Sequence, residues 1–166
     1  SDRKLEPGDA ILVDLWCKLP GADNPYADIT WSGCWGEPDP EHARMFEVVA
    51  TARDLGVKFI RDSVARGEYP RGCDVDDVVR GHIAAHGFGD WFSHRTGHSI
   101  GLDSTHGSAV HLDNFETHDS RRILPRLPPK RQSLFFSATM PADIAELAAR
   151  ILHDPVLVSV TPPASV

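Results

Sequence analysis

One glycine-containing segment of this sequence reads His94-Arg95-Thr96-Gly97-His98-Ser99-Ile100-Gly101-Leu102 and holds two histidines four residues apart. Gly97 and Gly101 disfavour a helix there, because glycine is among the poorest helix formers. Residues 89–120 as a whole lack a regular hydrophobic period and are predicted to form loop and irregular strand. Glycine beside two imidazoles allows a substrate or a metal ion to approach closely. The segment is therefore the first candidate for a functional site.

Histidine is dense beyond this segment as well. Five histidines lie within 25 residues, namely His94, His98, His106, His111 and His118. Any single one of them could be an ordinary surface histidine. Neutral imidazole is nevertheless a common ligand of transition metals, so the cluster as a whole indicates a metal or substrate site.

Two aspartates lie at the ends of predicted strands nearer the start of the chain. Asp14 follows an apolar run at residues 10–13, and Asp28 begins a second predicted strand at residues 28–35. Burying a carboxylate is costly unless it is paired or binds a metal. If the strands are neighbours, the two carboxylates could share one cation. The alternative for each is a solvated turn residue.

Two helices are predicted between the strands and the histidines. The first has Asp39 as N-cap and Pro40 at its first position. Its predicted apolar face is Met45, Val48, Val49, Ala52, Leu55, Phe59 and Ile60. The second starts near Asp74, ends at Gly87, and carries Val75, Val78, Val79 and Ile83.

Composition excludes several classes of protein. The 166 residues are 41% hydrophobic and 25% charged, which is typical of globular proteins, and no apolar run approaches the roughly 20 residues of a membrane span. The net charge of −7 disfavours a general binder of nucleic acid or anionic membranes. Cys17, Cys34 and Cys73 are widely spaced and odd in number, and residues 1–7 do not resemble a signal peptide. A reducing cytoplasm is therefore the expected location.

The candidate residues occur in a definite order: Asp14, Asp28-Ile29-Thr30, His94 to His98, and Phe115-Glu116-Thr117-His118-Asp119. Over about residues 5–125 this ordered set resembles the pita-bread metallopeptidases, in particular their Xaa-Pro dipeptidase and aminopeptidase P branch. The resemblance implies an exopeptidase that acts on peptides near an Xaa-Pro bond. It also implies a dinuclear site of manganese, cobalt, zinc or iron, built from two aspartates, one histidine and two glutamates.

By position, the resemblance implies that Asp14, Asp28 and His98 are metal ligands, with Asp28 bridging the ions. It implies that His94 is an outer histidine that holds substrate and stabilises developing charge. His106 would assist, although the family's usual spacing of seven residues after the metal histidine falls on Thr105.

The two glutamates of the family pattern are missing from the expected positions. They should lie on strands after residues 121–125, but the pattern stops at Pro125, and the next carboxylates are Asp143, Glu146 and Asp154 in other contexts. Three of five ligands remain, so we expect a catalytically incomplete peptidase. The alternative is a non-enzymatic fragment that binds at most one divalent metal through the same three residues.

The last part of the chain has a different character. A Pro-rich basic stretch at residues 124–130 precedes a predicted β-α-β unit that contains Ser137-Ala138-Thr139. This part resembles the end of the first RecA-like domain of a DEAD-box RNA helicase, which implies an RNA-associated module as a further alternative. The sequence has no Gly-Lys-Ser/Thr phosphate loop and no Asp-Glu-Ala-Asp motif. Binding of ATP is therefore not expected, and RNA is the less favoured partner.

The predicted fold class is α/β, of the α+β kind. An incomplete pita-bread domain over residues 1–125 is joined to a β-α-β piece of a RecA-like domain over residues 126–166. A sheet without all of its strands exposes edges and apolar surface, so self-association through those edges is expected.

Overall fold

The computed structural model describes residues 3–123 of the chain. In chain order they form β1 (Ala10–Cys17), β2 (Ala27–Cys34), α1 (Pro40–Ala65), α2 (Gly72–Ala85) and a 3-10 turn at Gly89–Trp91. The predicted strands, helices and following loop region are confirmed in this part. The predicted junction and the helicase-like β-α-β unit lie outside the described residues.

The two strands form an antiparallel hairpin. Asp14 is opposite Thr30, and Asp28 is opposite Trp16. The prediction that Asp14 ends its strand is wrong, because β1 continues to Cys17 and pairs there with the start of β2. Since side chains alternate across a strand, Asp14 and Asp28 lie on the same face of the hairpin, diagonally across the two strands.

The opposite face of the hairpin is apolar. Val13 is opposite Trp31 and Leu15 is opposite Ile29, which makes two apolar cross-strand pairs. These side chains are 43%, 71%, 63% and 55% exposed, respectively. We call these four residues the apolar hairpin face.

Helix α1 begins as the sequence predicts. The Asp39 carboxylate accepts hydrogen bonds from the backbone N–H groups of Glu41 and His42, each at 2.9 Å, and Pro40 is the first helical residue. The predicted apolar face is only partly buried, because Met45 and Val49 are largely exposed. Neither helix in residues 3–123 is long and apolar enough to span a membrane.

The core lies between the two helices. Val48 and Ala52 of α1 are buried with Val79 and Ile83 of α2, and Phe88 and Phe92 pack against them. Gly56 lies in the same contact, where a Cβ atom would be 2.8 Å from the nearest methyl carbon of Val79. A glycine in the middle of α1 therefore permits the helices to approach closely.

The start of α2 is tied to the last described residues. The helix begins at Gly72, two residues before the predicted start, and its first amides donate to the carbonyl oxygens of Arg121 and Asp119 at 3.1 and 2.9 Å. A Cβ atom at position 72 would lie 1.8 Å from the carbonyl oxygen of His111. Only glycine fits here, and this close approach sets the loop region against α2.

Candidate metal centre

The carboxylate face of the hairpin carries both predicted aspartate ligands. The Asp14 Oδ1 atom accepts a hydrogen bond from the Thr30 hydroxyl at 2.8 Å. Asp28 lies diagonally across from Asp14 and turns instead towards the histidine-rich loop. The hairpin thus presents two carboxylates on the side opposite to its apolar face.

The structure brings His98 and Asp28 together. The Nε2 atom of His98 lies 3.3 Å from the Oδ2 atom of Asp28, and both side chains are about four-fifths buried. The other ring nitrogen, Nδ1, lies 3.0 Å from the carbonyl oxygen of Ser99. Because a carbonyl only accepts hydrogen bonds, Nδ1 must carry the proton.

With the proton on Nδ1, the Nε2 atom of His98 is a hydrogen-bond acceptor, and so is the nearby Oδ2 atom of Asp28. In neutral His98 the unprotonated Nε2 atom lies close to the Asp28 carboxylate, and this contact between two acceptors is favourable only if a proton or a metal cation lies between them. A metal-binding histidine generally donates its second ring N–H to a carbonyl or carboxylate, as Nδ1 does here. The orientation of His98 therefore fits a metal ligand.

The separation also fits a single ion. In a tetrahedral site with metal–ligand bonds of about 2.1 Å, two ligand atoms are roughly 3.4 Å apart. The observed Nε2–Oδ2 distance of 3.3 Å is close to that value. Within residues 3–123, however, no group of three or more His, Cys, Asp or Glu side chains is gathered around one point. Asp14 thus lies on the same face as Asp28 but does not form a cluster with Asp28 and His98.

The two remaining predicted histidines lie in different surroundings. The His106 ring lies against the His98 ring, with centroids 4.0 Å apart, and His106 forms a backbone bridge with Ile100. The His94 ring is exposed, and its Nδ1 atom is 2.7 Å from the Arg95 carbonyl oxygen, which leaves Nε2 free of that bond. The structure therefore places His106 beside the candidate ligand and His94 at the surface of the loop.

A fourth histidine of the cluster, His111, binds the backbone next to His98. Its Nδ1 atom accepts a hydrogen bond from the backbone N–H of Ser99 at 3.1 Å. Burial lowers the pKa of His111, and the positive charges of Arg95 and Arg121 lower it further. A neutral His111 keeps the lone pair that this bond needs.

Three buried aspartates accept hydrogen bonds from the backbone of the loop region, and sequence reasoning assigned this role to none of them. Asp76 and Asp113 have no exposed surface, and Asp119 is 6% exposed. Burial raises the pKa of Asp76 and of Asp113, but their hydrogen bonds outweigh it and hold both below the ordinary value. For Asp76 the available signal was a carboxylate beside the predicted apolar positions Val75 and Val79 of α2, with Arg80 one turn later.

Comparison with known proteins decides the class of the domain. A sequence model of metallopeptidase family M24 matches residues 1–126. The chain belongs to metallopeptidase family M24. Enzymes of this family generally depend on divalent metal ions. The predicted resemblance to the pita-bread metallopeptidases is confirmed for this part of the chain.

The relatives are peptidases of greater length. The uncharacterized peptidase YqhT of Bacillus subtilis is 34% identical over 103 residues, which are 62% of this chain and 27% of that protein. The Xaa-Pro dipeptidase of Pyrococcus horikoshii is 28% identical over the same shares. The crystal structure of dipeptidase PepE from Mycobacterium ulcerans is similar with a TM-score of 0.57 and 32% identity, over 66% of this chain and 27% of that one. The matched part of this M24 chain spans about a quarter of the length of each of these relatives.

Proposed function

We propose that this chain forms part of the metal centre of an Xaa-Pro-type metallopeptidase and binds one divalent ion through Asp28 and His98. The observation that supports the proposal is the position of His98, whose Nε2 atom lies 3.3 Å from Asp28 Oδ2 while Nδ1 donates to the carbonyl oxygen of Ser99. Manganese, cobalt, zinc and iron all accept this combination of imidazole and carboxylate.

The residues of the site have separable roles in this proposal. A bound divalent cation would polarise a peptide carbonyl and increase the acidity of a coordinated water. Asp28 and His98 would hold it, and Asp14 would add negative charge from the same face of the hairpin. His94 Nε2 would bind the peptide by a hydrogen bond from the exposed side of the loop, and His106 would keep the His98 ring in place.

Peptide hydrolysis by this chain alone is not part of the proposal. Among residues 3–123, a third clustered ligand is absent, and the sequence lacks the family's glutamates at the expected positions. We therefore expect binding of one ion without turnover of an Xaa-Pro dipeptide.

Calorimetric titration of the full chain with Mn²⁺, Co²⁺ and Zn²⁺ tests the proposal. We expect about one equivalent to bind, with affinity reduced about 10-fold or more in His98→Ala and Asp28→Asn. His42→Ala is the control, because His42 lies on α1 and contributes only its backbone N–H to the Asp39 cap. Equal affinity in all variants would contradict the site, and Xaa-Pro hydrolysis abolished by His98→Ala would show a complete enzyme.

The helicase-like interpretation of residues 126–166 stays a prediction from the Ser137-Ala138-Thr139 motif. Those residues lie outside the part of the chain that the structure describes, so the RNA-associated role also stays a prediction. Salt-dependent RNA binding that is lost on removal of residues 126–166 would support this role. The cytoplasmic location likewise stays a proposal from cysteine usage.

A further inference from the structure

One carboxylate on α2 binds two separate parts of the loop region. The Asp76 Oδ1 atom accepts hydrogen bonds from the backbone N–H and the hydroxyl of Thr96, at 2.8 and 2.5 Å. Its Oδ2 atom accepts from the backbone N–H of Asn114 at 3.0 Å. The side chain is fully buried, so water cannot replace any of these bonds.

Arg80, one turn further along α2, also binds the backbone of the loop region, as a donor to carbonyl oxygens. Its Nε atom donates to Asp76 at 3.0 Å, and its two Nη atoms donate to the carbonyl oxygens of Phe92 and His94 at 2.8 and 2.7 Å. The guanidinium also lies against the rings of Phe92 and Phe115, 4.4 and 4.7 Å from their centroids. The Asp76–Arg80 pair thus fixes the backbone on both sides of residue 95.

His98 follows this attachment by two residues. Between them, Gly97 exchanges two backbone hydrogen bonds with Leu112, at 3.2 and 2.9 Å. Asp28, the partner of His98, belongs instead to the hairpin. The distance between Nε2 and Oδ2 therefore depends on where α2 holds the loop relative to the hairpin.

We propose that Asp76 is a positioning residue that fixes Thr96 on α2 and thereby holds His98 Nε2 against Asp28. The inference rests on the proposed metal site for its functional meaning. The predicted effect is on the position of the His98 ring relative to Asp28, which can be measured with or without metal, so the inference can be tested independently of metal binding.

Four variants of the full chain separate positioning from general stability. Asp76→Asn removes the charge and one acceptor, and Thr96→Val removes only the hydroxyl donor. Thr96→Ser keeps that donor. Asp113→Asn is the matched control, since Asp113 is equally buried but its carboxylate accepts hydrogen bonds from residues 115–117 and not from residues 94–102.

Two readouts apply to each variant, with the midpoint of urea unfolding as the measure of stability. The first is the nuclear Overhauser contact between the His98 ring Cε1–H and the Asp28 β-protons in the metal-free protein. The second is the calorimetric affinity for Mn²⁺. We expect Asp76→Asn and Thr96→Val to lose the contact and to bind Mn²⁺ about 10-fold or more weakly, whereas Thr96→Ser and Asp113→Asn keep both.

The inference is wrong if Thr96→Val and a folded Asp76→Asn retain the His98–Asp28 contact. It is also wrong if Asp113→Asn loses the contact to the same extent, because the effect would then follow stability and not position. If Asp76→Asn does not fold, the comparison of Thr96→Val with Thr96→Ser tests the inference: loss of the His98–Asp28 contact in Thr96→Val alone supports it, and retention in both contradicts it. Failure of the wild type to bind Mn²⁺ contradicts the proposed function, whereas the metal-free contact still decides the role of Asp76.

Discussion

Asp119 joins the end of the described chain to the loop that holds the candidate site. Its carboxylate accepts hydrogen bonds from the Arg121 guanidinium and from the backbone N–H groups of His111 and Arg121. The Arg121 hydrogen bond is the largest cause that lowers the pKa of Asp119, and together with the backbone bonds it outweighs burial, which raises the pKa. The ion pair thus stabilises the folded state only while Asp119 is ionised.

The sign of the pH dependence follows from this lowered pKa. The folded pKa lies below the unfolded value of about 3.9, so the stabilisation is complete above that value and is lost as the pH falls towards the folded pKa. We expect Asp119→Asn to lower the free energy of unfolding at neutral pH by about 1–3 kcal/mol. Urea unfolding between about pH 7 and pH 2 should show a steeper loss of stability in the wild type than in the variant. Parallel pH curves for the two proteins would contradict this account.

Alanine substitution at two glycines of α2 is predicted to change the free energy of unfolding in opposite directions. A Cβ atom at Gly72 would collide with the His111 carbonyl oxygen at 1.8 Å, whereas a Cβ atom at Gly81 has no neighbour within 4 Å. We expect Gly72→Ala to destabilise by about 3 kcal/mol, at the upper end of overpacking costs. Gly81→Ala should stabilise by about 0.5–1 kcal/mol, because alanine is the better helix former. Urea unfolding of both variants measures these changes, and a stable Gly72→Ala protein would show that the loop does not lie against α2.

At the scale of elements, local patterns were sufficient for most of the fold. Asp39-Pro40 marks the start of α1, and the β-forming residues within 28–35 mark β2. The extension of β1 to Cys17 was not predictable from residues 10–13, because it depends on partners in β2. The exposure of Met45 and Val49 was also not predictable, because a helical period identifies an apolar face but not the elements that cover it.

The sequence predicts self-association through exposed sheet edges, and the apolar hairpin face is a further surface that favours it. Val13, Leu15, Ile29 and Trp31 form two cross-strand pairs on one surface, and each side chain is more than two-fifths exposed. We expect the wild type to self-associate and Trp31→Lys to reduce association, because a charge there makes burial of the face costly. Leu12→Lys is the control, since Leu12 is 68% exposed but lies on the carboxylate face. Sedimentation velocity distinguishes them, and a wild type that stays monomeric at high concentration would contradict the expectation.

At the scale of the whole molecule, the sequence predicts the protein family better than it predicts the contacts that hold the loop region in place. The ordered set from Asp14 to Asp119 was sufficient to indicate the family, since the chain is a member of family M24 over residues 1–126, whereas the metal ligands stay a prediction. The role of Asp76 was not predictable, because its partners Thr96 and Asn114 are 20 and 38 residues away and follow no sequence period. Similarly, the contact of His106 with His98 depends on the path of the loop and not on spacing alone.

Paramagnetic broadening by Mn²⁺ in the nuclear magnetic resonance spectrum of the full chain locates the ion most directly. At substoichiometric Mn²⁺, we predict that the resonances of the His98 ring and of Asp28 disappear first, followed by those of His106, which lies against His98. The ring signals of His42 and His86, which lie on or next to the two helices, should stay sharp. Uniform broadening of all histidines, or selective loss of the His82 and His86 signals, would contradict a metal site at Asp28 and His98.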